Sequence, residues 1–226
     1  MTRVTVFPET LLRLGPVNIS DTVVTTWVVM CAVVLFCWLI TRRLSLEPSL
    51  LQEIIEALLE ATEKTVRDIL PVDPWLAVPV IGTFWVLIGA ANLAGLIPGL
   101  TTPTADLNTT CAFAAVSFSM THIIGIRTQG LKGYLAHYRE PSWILLPFHL
   151  VAEATRTVAL AIRLFGNMLS GDMIAVILLG VVGFIVPVPF ALLHVVIGLI
   201  QAYIFGVLTL VFIAGGIRSG TPTGSA

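Results

Sequence analysis

The chain has 226 residues, of which 57% are hydrophobic and only 11% charged, and its mean hydropathy is +0.97. A water-soluble domain carries about 25% charged residues, so this composition excludes an ordinary soluble enzyme and makes lipid the main solvent. The formal net charge of −1 argues against a nucleic-acid partner, and the length suits a single bundle of spanning helices better than two domains.

Residues 1–21 are mixed and polar, with Pro8, Gly15 and Pro16, and read as a short, loosely ordered outer arm. No apolar stretch follows a basic start closely enough for a signal peptide. Residues 22–41 are apolar over about the length that crosses a bilayer, and Arg42 and Arg43 mark the cytoplasmic end of this first span. Residues 47–70 differ. Leu50, Leu51, Ile54, Ile55, Leu58, Leu59, Thr62, Val66 and Ile69 recur at helical spacing, with Glu53, Glu56, Glu60, Glu63 and Lys64 on the other side. Such a helix is too charged to span. It predicts an amphipathic helix lying on the membrane surface or against a partner subunit.

The second span covers about 75–97 and ends at Pro98-Gly99, and a third covers about 107–126 after the turn-rich "PGLTTPTADLNTT". Residues 127–142 read as a polar loop. An apolar tract then runs from about 143 to 214, broken mainly by "GFIVPVP" at 183–189. Its first part, at about 1.5 Å per residue, is roughly twice as long as the hydrocarbon layer is thick. It must tilt strongly or break, and Gly166 and Gly171 permit bending without demanding it. The fold class expected is therefore an all-α polytopic membrane protein of about five crossings, one amphipathic surface helix and a long, tilted final hairpin, forming one membrane domain over 1–226. Cys31, Cys37 and Cys111 have no metal-like spacing and read as small buried hydrophobes.

Charge sets orientation. Eight basic residues (Arg42, Arg43, Lys64, Arg67, Arg127, Lys132, Arg139, Arg218) fall on one side, Arg3 and Arg13 on the other, and Arg156 and Arg163 in the membrane. The positive-inside rule then puts the amino terminus outside and the carboxyl terminus in the cytoplasm.

The last two segments carry Glu153, Arg156, Arg163, Asn167, Asp172, His194 and Gln201. Ionisable residues inside a membrane mark ion or substrate paths, although each has a plainer reading. Glu153 and Arg156 are three apart and suit an ordinary local ion pair equally well. Asn167 and Gln201 suit helix-packing glue, and a lone His194 suits a structural histidine. Arg163 lies too deep to snorkel easily.

At 100° per residue, Arg156 and Asn167 share a face with Arg163, while Asp172 lies about 180° away. The pairs Asp172/His194 and Arg163/Gln201 have sequence midpoints at 183 and 182. One antiparallel register therefore brings both pairs level, with the turn near Gly183. Arg163 has no carboxylate on its own stripe, which points to an acidic partner on another subunit.

"ALAIRLFGNM" at 159–168 closely resembles the signature of subunit a of F-type ATP synthases. "PTADLNTT" at 103–110 and "LLHVVIGLIQAYIFGVLTLVFI" at 192–213 resemble two further segments of that family, in the same order, so the resemblance spans most of the chain. It implies the stator of a membrane ion motor in the bacterial plasma membrane, set against a ring of c subunits and held by b-type subunits of a peripheral stalk. By position, Arg163 matches the family's essential arginine, and Asn167 and Gln201 match its polar neighbours. Asp172 and His194 match an aqueous half-channel.

Two departures stand out. Arg156 is followed by Thr157 where the family usually has proline, and a glutamate common further upstream is displaced, with His149 near its place and Glu153 four residues on. Both resemble the divergent N-type ATPases, often linked to sodium. The mechanism implied is rotary. A ring carboxylate enters lipid only when neutralised by a proton or sodium ion, and Arg163, always charged, favours its ionised form and blocks leakage between half-channels. The residues suggest no cofactor and no metal site. The chain has no phosphate-binding loop, so nucleotide chemistry belongs to partner subunits. The alternative, a secondary ion transporter, needs a substrate site closed within its own bundle and often internal repeats, and no repeat is visible. An intramembrane hydrolase would need an HExxH or GxSxG constellation, which is missing.

Overall fold

The computed structural model describes residues 10–14, 17–42, 49–70, 72–97, 100–139, 146–183 and 187–218. Residues 1–9, Gly15, Pro16, Arg43, 47–48, Pro98, Gly99, 140–145 and 184–186, on which parts of the sequence expectations fall, lie outside that set. The element order is β1 (Thr10–Leu14), β2 (Val17–Ser20), α1 (Asp21–Thr41), α2 (Leu50–Ile69), α3 (Val78–Ala94), α4 (Leu107–Arg139), α5 (Leu146–Val182) and α6 (Pro187–Arg218). Short 3-10 turns precede α3 at Pro74–Leu76 and α4 at Pro103–Ala105.

Four of the helices are long and apolar enough to cross a membrane: α1, α4 over Leu107–Leu131, α5 over Val151–Val181 and α6 over Pro187–Ile217. The fifth, α3, is an apolar helix of 17 residues, at the lower limit for crossing. The chain is thus an all-α multi-pass membrane protein whose last two helices form a hairpin. A small β-hairpin precedes it.

That hairpin corrects the loosely ordered arm expected over residues 10–20. β1 and β2 pair antiparallel, Leu14 opposite Val17 and Thr10 opposite Ser20. β-branched and leucine residues make up much of the two strands, and that local propensity outweighs the segment's mixed polarity.

The polar loop expected from residue 127 is corrected as well. Helix α4 continues to Arg139, kinked at Gly130, whose φ of 73° few other residues adopt. Charge in this stretch marks emergence from lipid and does not end the helix. The ring of Tyr134 folds back against Gly125 beyond the kink. The Gln129 side chain donates to the carbonyls of Gly216 and Ile217 at 2.7 and 3.0 Å, tying the kink to the end of α6.

The core has two parts. Val66, Val78, Ile81, Leu210 and Ile213 pack α2, α3 and α6 together. Phe84, Ile88, Phe113, Leu164, Met168 and Phe205 join α3, α4, α5 and α6. Threonines hold the end of the bundle where α1 and α4 begin. Thr22 donates to buried Asp106 at 2.6 Å, which also accepts the Asn108 N–H at 2.9 Å and so caps α4. Asn92 accepts from Thr104 at 2.5 Å and donates to the Gly198 carbonyl at 2.7 Å.

Helix α1 buries only Thr22 and Thr25 and leaves Trp27, Val28 and Val34 exposed, a lipid-facing helix attached by one end. Cys31 and Cys111 are exposed and Cys37 is half-buried, all three unpaired. The expectation that they are buried within the protein is corrected: their apolar surroundings are lipid-facing surface. In α2, Thr62 and Val66 are buried against the bundle, whereas Leu50, Leu51 and Ile54 remain exposed at its amino-terminal end. Glu63 and Arg67 pair along its outer side.

Helix α5 is continuous through Gly166 and Gly171. Its 37 residues run for about 55 Å at 1.5 Å each, against about 30 Å of hydrocarbon, so it must lie steeply tilted to stay in the membrane. The chain turns at Gly183, φ 81°. Helix α6 starts within the expected break, at Pro187, because proline suits the first position of a helix, where its missing N–H leaves no bond unmade.

Candidate functional site

Helix α5 carries most of the candidate residues and acts as a ruler. Glu153 and Asp172 lie about 15 Å and 14 Å from Arg163 along the axis, one on each side. Arg163 itself is exposed, on a face that further along exposes Ile174 and Ile177. Among the described residues no carboxylate comes within ion-pair distance of it. One turn on, exposed Asn167 donates through Nδ2 to Oε1 of buried Gln201 at 2.7 Å. The expected register puts Gln201 level with Arg163. In the structure Asn167 takes that bond, and the guanidinium stays free beside it.

The second group lies towards the hairpin turn. Asp172 Oδ1 is 3.7 Å from His194 Nε2, the two side chains being 33% and 14% exposed. That is ion-pair range when His194 is protonated, yet too long for a hydrogen bond, and Nε2 is buried with no hydrogen-bond partner. Thr102, buried in the turn before α4, stands beside Asp172. The ring of His194 occupies the space where a Cβ on Gly171 would stand. A glycine there lets α6 bring the histidine flat against α5. Asp172 thus sits apart from the Arg163 face, as the helical arithmetic requires.

The third group lies on the other side of Arg163. A cavity of about 320 Å³ opens between α4, α5 and α6, lined by Ser117, Thr121, Tyr134, His149, Glu153 and Arg156 among others. Glu153 Oε1 is 3.5 Å from His122 Nε2 on α4. The Arg156 guanidinium carbon lies 5.8 Å from the centre of the Phe212 ring, a cation–π distance. His122 and Thr102 escaped the sequence reading. A histidine inside the span at 107–126 was a usable signal, whereas Thr102 carries none, since only the fold brings it to Asp172.

An arginine exposed on an apolar face, with separate polar clusters on either side of it, is suited to meeting a mobile carboxylate and not to closing a substrate site within the bundle. Comparisons with known proteins give the family. A family model described as ATP synthase A chain matches residues 23–214. The chain is 48% identical to ATP synthase subunit a 1 of Hahella chejuensis, over 93% of this chain and 89% of that protein. It is 47% identical to ATP synthase subunit a 2 of Pelobacter propionicus, over 93% and 92%. It is 37% identical to ATP synthase subunit a of Moorella thermoacetica, over 93% and 97%.

Proposed function

This chain belongs to the ATP synthase A chain family, and from that premise we propose how its residues perform the work of subunit a, the stator of the membrane ion motor. The subunit provides two half-channels and leaves nucleotide chemistry to other subunits of the complex. Arg163 faces the carboxylate of the c ring. Asp172 and His194, with Gln201 and Asn167 between them and the arginine, line the outer half-channel. Glu153 and Arg156 belong to the cytoplasmic one. The amino terminus is outside and the carboxyl terminus cytoplasmic, in a bacterial plasma membrane. The b-type subunits of the peripheral stalk and the ring itself are the partners that cover the exposed faces of α2 and α5.

The observation that carries this reading is the isolation of Arg163 between two polar groups about 14–15 Å away along one helix. A bare cation at that depth is costly to hold unpaired, so the face is built for a partner charge. Each ring carboxylate arrives neutralised by its coupling ion, because an uncompensated charge in lipid is prohibitive. Beside Arg163 the ionised form is favoured and the ion departs into whichever half-channel is adjacent. A guanidinium cannot deprotonate at any working pH, so the positive charge persists through the cycle and repels a cation that would pass directly from one half-channel to the other.

Side-specific labelling tests the assignment. In assembled complexes with Cys31, Cys37 and Cys111 replaced, Asp172→Cys and His194→Cys are expected to lose ion flux to thiol reagents added from outside. Glu153→Cys is expected to lose it only to reagents from the cytoplasmic side. Indifference of both outer variants to outside reagent, with normal flux in Asp172→Asn, refutes the outer half-channel.

A further inference from the structure

The geometry points to His122 and Glu153 as a single-proton exchange site on the cytoplasmic side of Arg163, an inference that rests on the stator reading and adds α4 to the ion path. His122 lies about 22 Å along α4 from its outer end, deep in the inner half of a layer about 30 Å thick. Its Nδ1 is 2.9 Å from the carbonyl oxygen of Phe118. A carbonyl only accepts, so Nδ1 bears hydrogen and, in the neutral ring, Nε2 bears the lone pair. That Nε2 is the atom facing Glu153 Oε1 at 3.5 Å. Without a proton, a lone pair and a carboxylate oppose each other. With one proton, on either atom, the contact becomes attractive. Two protons leave an unpaired imidazolium beside a neutral acid. The pair is therefore built to hold one.

The ring is fixed for this task. It packs at a tilt against Phe118, with centroids 4.2 Å apart, and meets Tyr134 edge-on at 5.9 Å. His122 and Glu153 are 27% and 19% exposed respectively, and Glu153 lines the cavity, so water reaches the pair. Among the described residues, the other ionisable groups lining this space are Tyr134 from α4 and His149 and Arg156 from α5; α6 contributes Phe212, Gly215 and Gly216, none of them ionisable. In each exchange one N–H or O–H bond breaks and a water molecule takes the proton as hydronium, or the reverse. No other bond changes.

The test uses the whole complex in sealed vesicles, with pH varied on each side separately and passive flux and ATP-driven pumping both recorded. H122Q and E153Q are expected to move the midpoint of the cytoplasmic-side pH profile by about one unit or more, a tenfold change in proton occupancy, and to leave the outer-side profile where it was. The double variant is expected to match the singles, because both remove the same site. Cytoplasmic-side profiles of both variants superimposable on the unmodified complex overturn the inference. So does an equal shift on both sides, which is what a merely structural disturbance gives. Co-purification checks assembly, and if H122Q does not assemble, E153Q alone carries the same outcomes. Coupled transport that survives Arg163→Ala defeats the stator reading instead, so the two failures are told apart.

Discussion

On the stator reading proposed above, replacing Arg163 with alanine removes the fixed positive charge between the two half-channels, and the size of the effect follows from its position. A ring carboxylate that comes within about 4 Å of the guanidinium gains roughly 4 kcal/mol at an effective dielectric constant near 20. At about 1.4 kcal/mol per decade, that preference for the ionised form is worth about a thousandfold in ion release. The same magnitude, with opposite sign, is the barrier a free cation meets in passing Arg163 on its way between the clusters at Asp172 and Glu153. Arg163→Ala is therefore expected to lower coupled synthesis and pumping by about three orders of magnitude and to raise passive leak. Lysine should rescue poorly, since its ammonium lacks the planar fork and deprotonates when buried. The assay is ion-driven ATP synthesis and ATP-driven pumping in vesicles, with passive flux measured in parallel. Coupling within about tenfold of normal in an assembled Arg163→Ala complex refutes the reasoning, because 4 kcal/mol does not shrink to 1.4 without the pair being absent.

Gly171→Ala should drive the new methyl group into the ring of His194, costing about 1–3 kcal/mol of stability as overpacking does and pulling His194 away from Asp172. Thermal unfolding of the complex measures the loss, and adding His194→Ala should recover most of it while flux stays impaired. Single cysteines at Glu56 and Glu60, outward on α2, should react with an impermeant thiol reagent from the cytoplasmic side in a cysteine-free background. Labelling only from outside overturns the orientation.

Much of the hairpin was legible in the sequence because it rests on two simple regularities. The 100° step separates Asp172 from the Arg163 face, and the shared midpoint near 183 brings Asp172 opposite His194, which the structure holds at 3.7 Å. The same arithmetic does not resolve one helical turn, and so it paired Gln201 with Arg163 where the side-chain amide of Asn167 reaches it. Polar length also misled. The stretch after residue 126 is charged and hence loop-like by composition, yet a helix that leaves lipid has no reason to stop there, and Gly130 bends it without ending it. Contacts made by the fold left the weakest trace. Nothing in residues 100–106 announces that Thr102 will stand beside Asp172.

The continuity of α5 is what makes the separate groups one device. Had Gly166 or Gly171 broken the helix, Glu153, Arg163 and Asp172 could drift relative to one another, and an ion leaving the cytoplasmic group would face no fixed distance to the arginine. Instead Leu160, Leu164 and Met168 are buried at helical spacing against α3, α4 and α6. They fix the rotation of α5, and so the direction in which Arg163 points. The residues Leu160, Leu164 and Met168 carry no charge of their own. They set the angle, while Arg163 stands on the exposed side. Any core change that rotates α5 by one residue, about 100°, swings Arg163 off its face without touching it, so on the proposed reading the apolar stripe matters to coupling as much as the arginine does.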